Sequence, residues 1–140
     1  MKDTELVGSL REALENVEKA SQALEKGDET ALDLSLWKAF SKIEYASFLV
    51  SIETGDNERL QVRRRRVNKI DMTSSLNDAK DLLFQALNLL EKDTPSAKVA
   101  DDIEKAKTSV FDSMRKQSAK ARKKKARTAA STAPSSASSQ

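Results

Sequence analysis

Two runs of cationic side chains carry the most distinctive chemistry in the sequence. Arg63-Arg64-Arg65-Arg66 is accompanied by Arg59 and Lys69, with no acid between Arg59 and Lys69. The second run, Arg115, Lys116, Lys120, Arg122, Lys123, Lys124, Lys125 and Arg127, is 8 Lys/Arg between positions 115 and 127, again without an acid. Groups this dense bind phosphate oxygens, because each neutralised phosphate releases condensed counterions and a guanidinium fork takes two oxygens at once. No aromatic is interleaved with either run. Base stacking is therefore not provided for, and the expected contact is with the backbone of DNA or RNA irrespective of sequence. The competing expectation is that Asp3, Glu5, Glu53, Asp56 and Glu58 neutralise the arginines internally, or that the runs are solvated helix faces.

Catalytic chemistry finds little to work with. The chain has no histidine and no cysteine, which removes the commonest general base, the commonest metal ligand, thiolate sites and both Ser/His and Cys/His nucleophile pairs. Its three glycines, Gly8, Gly27 and Gly55, stand too far apart for a phosphate-cradling loop. Carboxylates remain, but the di-iron pattern of helical bundles needs Glu-x-x-His motifs. Glu44, beside Ile43, is the most core-proximal acid by sequence and is expected at a helix boundary, not as a ligand. The expectation is a non-enzymatic protein with no cofactor, metal or small-molecule substrate.

A third feature is the apolar surplus between Trp37 and Ile52, where four of the six aromatics fall: Trp37, Phe40, Tyr45 and Phe48. The simplest account is a central helix covered by neighbours on two faces. The other is a contact surface for a protein partner or a second copy, formed by Trp37, Tyr45, Phe48 and Ile52. That makes an interaction adaptor, docking through this helix or the acidic N-terminal half, the alternative to nucleic-acid binding. The stretch Ala23-Leu24-Glu25-Lys26-Gly27-Asp28, followed by Leu36-Trp37-Lys38-Ala39-Phe40, resembles the first helical hairpin of HEPN-type bundles over less than a third of the chain. HEPN ribonucleases carry an Arg followed by His in a late helix. With no His here, the resemblance implies an inactive relative.

The elements that must hold these residues are helices. At 140 residues, 38% hydrophobic and 34% charged, with three Gly and two Pro, the chain suits one small all-α domain. Leu6, Leu10, Ala13, Val17, Ala20 and Leu24 recur at steps of three and four, giving a first helix that Gly27 ends. Asp28 caps a second, reaching about Thr54. A third spans Asn57 to Lys92, with a kink or break near residues 71–75, where Ser75 to Asp78 reads as a capping box. Thr94-Pro95 opens the last, with Val99, Ile103, Ala106, Val110 and Met114 inward.

Four amphipathic segments with short connections predict an up-down-up-down antiparallel four-helix bundle, coiled coil-like in its packing. Residues 1–114 form the bundle, 115–127 a basic helix extension or arm, and 128–140 an Ala/Ser/Thr tail expected to be disordered. Symmetry about Asp93-Thr94 then places Arg63 to Arg66 opposite residues 121–124, at the end that also holds Asp3 and Glu5. Charge is segregated: residues 1–58 hold 6 Lys/Arg against 13 Asp/Glu, net −7, and residues 59–140 hold 19 against 9, net +10. The longest nearly apolar stretch, Ala46 to Ile52, is far below the roughly 20 residues of a membrane span. A cytoplasmic location with no membrane contact is expected.

Overall fold

The computed structural model describes the backbone of residues 2–54, 69–92 and 97–138 and the side chains of residues 4–52, 69–92 and 97–120. Four helices make up the fold: α1 (Lys2–Lys26), α2 (Glu29–Thr54), α3 (Met72–Lys92) and α4 (Ala97–Ser138). Their boundaries follow local chemistry. Gly27 ends α1 at φ 74°, a conformation that costs any residue with a Cβ. The Gly27 N–H donates to the Leu24 carbonyl at 3.2 Å and the Asp28 N–H to the Ala23 carbonyl at 2.9 Å, the paired bonds of a Schellman ending. Asp28 then caps α2, its Oδ1 accepting the Ala31 N–H at 3.1 Å.

The break expected near residues 71–75 is present as the start of α3, but not at the capping box. Asp71 opens the helix, its carbonyl accepting the Ser75 N–H at 2.8 Å, and Ser75 is buried within α3. An inward position leaves Ser75 no role as a cap. The remainder of the expected third helix, together with the Thr94-Pro95 start, lies outside the described residues.

Apolar positions three and four apart converge on one core. Leu6, Leu10, Val17, Leu36, Ile43, Leu76, Leu83, Val99, Ile103 and Val110 are at most 1% exposed. Alanines lie between them, at Ala13, Ala20, Ala39, Ala46, Ala79, Ala86 and Ala106, all fully buried. Such small side chains let helix backbones approach closely. α1 packs on α2 and α3, and α4 packs on α2 and α3, so the order around the bundle is α1, α2, α4, α3.

Side-chain contacts give the directions. Ser9 Oγ donates to the Lys42 carbonyl and Tyr45 Oη to Glu5, so α1 and α2 are antiparallel. Ser47 meets Glu104, and Phe40 meets Phe111 with ring centroids 5.8 Å apart. The sequence offset falls along one helix as it rises along the other, so α2 and α4 are antiparallel too. α3 and α4, packed together across a gap of four residues, form a second hairpin, which leaves α3 running parallel to α2 on the diagonal. The antiparallel four-helix bundle is as expected, but its order is up-down-down-up. The alternating expectation treated residues 57–92 as one segment of the bundle with a kink or break near 71–75, whereas α3 begins at Met72.

The same register sets Glu29, the first residue of α2, level with position 122 of α4. Beyond that level the α4 backbone continues as helix to Ser138. Where a disordered tail was expected from residue 128, the described backbone is helical over residues 128–138. Its alanines are strong helix formers, and the packed first half of α4 supplies the nucleus that a free peptide lacks. The helix carries through Pro134, where one backbone donor is missing.

Candidate interaction surfaces

The outer face of α2 departs most from an ordinary surface. Leu34 is 52% exposed, Trp37 59%, Tyr45 46%, Phe48 57% and Ile52 50%. At about 100° per residue, these five positions and Ser41 fall within an arc of about 80°. Leu32, Leu36, Ala39, Ile43, Ala46 and Val50, all buried, lie on the opposite side. The helix therefore has two apolar stripes back to back, one against α1 and α4 and one facing out. The expectation of a helix covered on two faces is overturned, because α3 stands diagonally across and covers nothing on the outer side. Trp37, Tyr45, Phe48 and Ile52 are brought together as the contact reading requires. Leu34, which it missed, continues their three-and-four spacing. Phe40 belongs elsewhere, half-buried against Phe111.

An open groove of about 570 Å³ runs beside this stripe, lined by Trp37, Lys38, Ser41 and Lys42 of α2 and by Glu12, Glu15, Asn16 and Lys19 of α1. Its rim carries both signs. Lys42 Nζ lies 2.7 Å from Glu12 Oε2 and Lys19 Nζ 3.3 Å from Glu15 Oε1. Tyr45 Oη donates to Glu5 Oε2 at 3.0 Å, which holds the ring in place. That hydrogen bond and the carboxylate's charge push the Tyr45 hydroxyl above the ordinary phenol range.

The basic positions are distributed differently. Arg59 and Arg63 to Arg66 lie outside the described residues, as do Asp56, Glu58 and the side chains of Asp3 and Glu53. Lys69 is exposed just before α3, and Lys120 is exposed on α4. Arg115 is turned toward the bundle, its Nη1 3.2 Å from Oδ1 of the buried Asp112, and Lys116 is half-buried. Arg122, Lys123, Lys124, Lys125 and Arg127 lie on the continuing backbone of α4. Because α4 runs toward the α1–α2 turn, this basic stretch leaves the bundle at the end away from Glu5. The predicted apposition of Glu5 with the basic run is thereby corrected.

Polar groups on the inner side of α4 were not legible in the sequence. Glu104 accepts from Ser47 Oγ at 2.6 Å and pairs with Lys107 Nζ at 3.3 Å, joining α2 to α4 through a mostly buried contact. Asp102 is fully buried; Oδ1 accepts from Lys98 Nζ at 3.0 Å, whereas Oδ2 has no donor. The bond to Asp102 and its negative charge raise the Lys98 pKa. Gln117, 3% exposed, is similarly left with its Oε1 unpartnered, and it extends the packed part of α4 one turn past Met114. Glu44 is exposed, so the core acids are Asp102 and Asp112 instead.

Among the described residues no three His, Cys, Asp or Glu groups are placed to hold a metal ion, and no helix is long and apolar enough to cross a membrane. Compared with known proteins, the chain matches no family model, no curated protein and no solved structure.

Proposed function

We propose that this protein is a non-enzymatic helical bundle that binds the phosphate backbone of nucleic acid through the basic extension of α4. One observation supports the reading above others: α4 leaves the core as a continuing helix and carries the acid-free segment 115–127 with it. A helical rod bearing ammonium and guanidinium groups along its length suits a polyanion of regular charge spacing. Arg115, engaged by Asp112, anchors the extension, while Lys120, Arg122, Lys123, Lys124, Lys125 and Arg127 make the phosphate contacts. Lys69 and the arginines from Arg59 to Arg66 are further candidate contacts.

A salt titration of binding tests this. With about six phosphates contacted, log affinity falls against log salt with a slope of about −5 on duplex DNA or about −4 on single strands. Removing residues 118–140 flattens the slope on both and leaves the melting temperature within a degree or two. Full-length protein that binds neither DNA nor RNA at low salt overturns the proposal. A second reading, the outer face of α2 as a protein contact surface, is favoured by its five exposed large apolar side chains.

A further inference from the structure

We propose that the outer face of α2 pairs with the same face of a second copy of this chain, antiparallel, about a two-fold axis through Ser41. The proposal rests on the reading of that face as a contact surface and names its occupant. The first support is the spacing. Leu34, Trp37, Ser41, Tyr45 and Phe48 stand at intervals of three, four, four and three, a pattern unchanged when read backwards about Ser41. A two-fold interface needs this property, since residue i must meet j while j meets i. The rotation sets Leu34 against Phe48 of the partner subunit and Trp37 against Tyr45 of the partner subunit. Ser41 meets Ser41 of the partner subunit at the axis, where a small side chain lets the two backbones approach.

The groove is the second support. It lies on the α1 side of Trp37 and Ser41, the side toward which Tyr45 leans to reach Glu5. The rotation lays each protomer's Tyr45 over the groove of the other. The ring is already fixed by its bond to Glu5, so little rotamer freedom is lost on docking. Charge agrees with this placement. Lys38, exposed on the groove's rim, is carried by the rotation to the height of Glu5 and Glu12 on the partner's α1.

Area is the third. Half-exposed side chains of this size leave on the order of 100 Å² each, so the five contribute about 500 Å², at the upper end of what monomers expose in one patch. With Lys38, Ser41 and Glu44 around them, the face approaches the ~800 Å² per partner of a standard interface.

The absence of cysteine allows a direct test on the full chain. Sedimentation of the wild type gives a species of twice 15.5 kDa, and Phe48→Glu returns it to the monomer mass with its helical content unchanged and a melting temperature that no longer depends on protein concentration. Under mild oxidation Ser41→Cys cross-links to a dimer. Leu34→Cys does not, because its two copies stand about 21 Å apart along the axis, beyond disulfide reach. Leu34→Cys combined with Phe48→Cys cross-links again. A dimer in which Leu34→Cys cross-links as readily as Ser41→Cys overturns the antiparallel pairing. A wild-type monomer at high concentration overturns the second copy as occupant. Extract of the source cells then separates the two levels: a protein captured by wild type and lost with Phe48→Glu leaves the contact-surface reading standing, and no such difference removes that reading too.

Discussion

Asp102 sits where the bundle has least use for a carboxylate, and replacing it tests the packing account directly. It is fully buried between Val99, Ile103 and Ala106 on the inner side of α4, with one oxygen bonded to Lys98 and the other without a donor. A buried acceptor without a partner costs about 1–3 kcal/mol, and more when charged. The bond to Lys98 returns little, since the lysine is 59% exposed and solvent screens such a pair. Asp102→Ala removes the orphaned oxygen, gains about 0.5 kcal/mol of helix propensity and forfeits the packing of three atoms. The net expectation is a stabilisation of about 1 kcal/mol, which for a unit of this size raises Tm by about 3–4 °C. Lys98→Met in the wild-type background removes the carboxylate's cation and lowers stability only slightly, by less than Asp102→Ala raises it. In the Asp102→Ala background the same change is neutral within about 0.5 kcal/mol. Thermal melts of the four proteins close the cycle. A lower Tm for Asp102→Ala refutes the reasoning, since the carboxylate would then be stabilising the fold.

Three further outcomes follow from the same geometry. Leu83→Ala, at a fully buried position of α3, should cost about 2–5 kcal/mol in denaturant unfolding. The two described glycines should respond oppositely to alanine: Gly8→Ala, exposed inside α1 with open space where a Cβ would stand, stabilises by about 1 kcal/mol. Gly27→Ala, held at φ +74°, destabilises by about 1–2 kcal/mol in the same melts. On the alkaline side, Tyr45 and Lys98 both have raised pKa values in the fold. Their contribution is complete below their unfolded values near pH 10 and is lost as pH rises through the folded ones. Tm should therefore fall above about pH 10, and by less in the double variant Tyr45→Phe, Lys98→Met.

The helices themselves were legible because their signals are local. Gly27 and Asp28 punctuate the chain with backbone chemistry that depends on nothing distant, and the spacing from Leu6 to Val17 or Val99 to Val110 fixes an inward face before any partner is known. α2 was opaque for a related reason. Its two apolar stripes cancel in any measure of amphipathicity, so only the absence of α3 from its far side reveals which is buried. The direction of α3 was equally hidden, since nothing in residues 69–92 records whether the chain has turned back before entering them. Asp102 and Glu104 look alike in sequence. One is sealed against the core and the other bridges to Ser47, a difference made by rotation of α4 against neighbours 50 or more residues away.

The up-down-down-up order divides the protein into two helical hairpins, α1–α2 and α3–α4, each closed by a short connection and each complete on its own side of the segment between Thr54 and Lys69. Among the described residues the two hairpins meet mainly through α1 against α3 and α2 against α4. Folding thus resembles the association of two preformed subunits that happen to share a chain, with low-entropy local steps first and docking last. The two hairpins carry opposite charge, net −5 over residues 2–54 (6 Lys/Arg against 11 Asp/Glu) and net +5 over residues 72–138 (13 against 8). Long-range attraction steers such an encounter and salt screens it. The refolding rate of this bundle should therefore decline with ionic strength even where its final stability does not. A chain severed between residues 54 and 69 should reassemble from its two pieces fastest in dilute buffer.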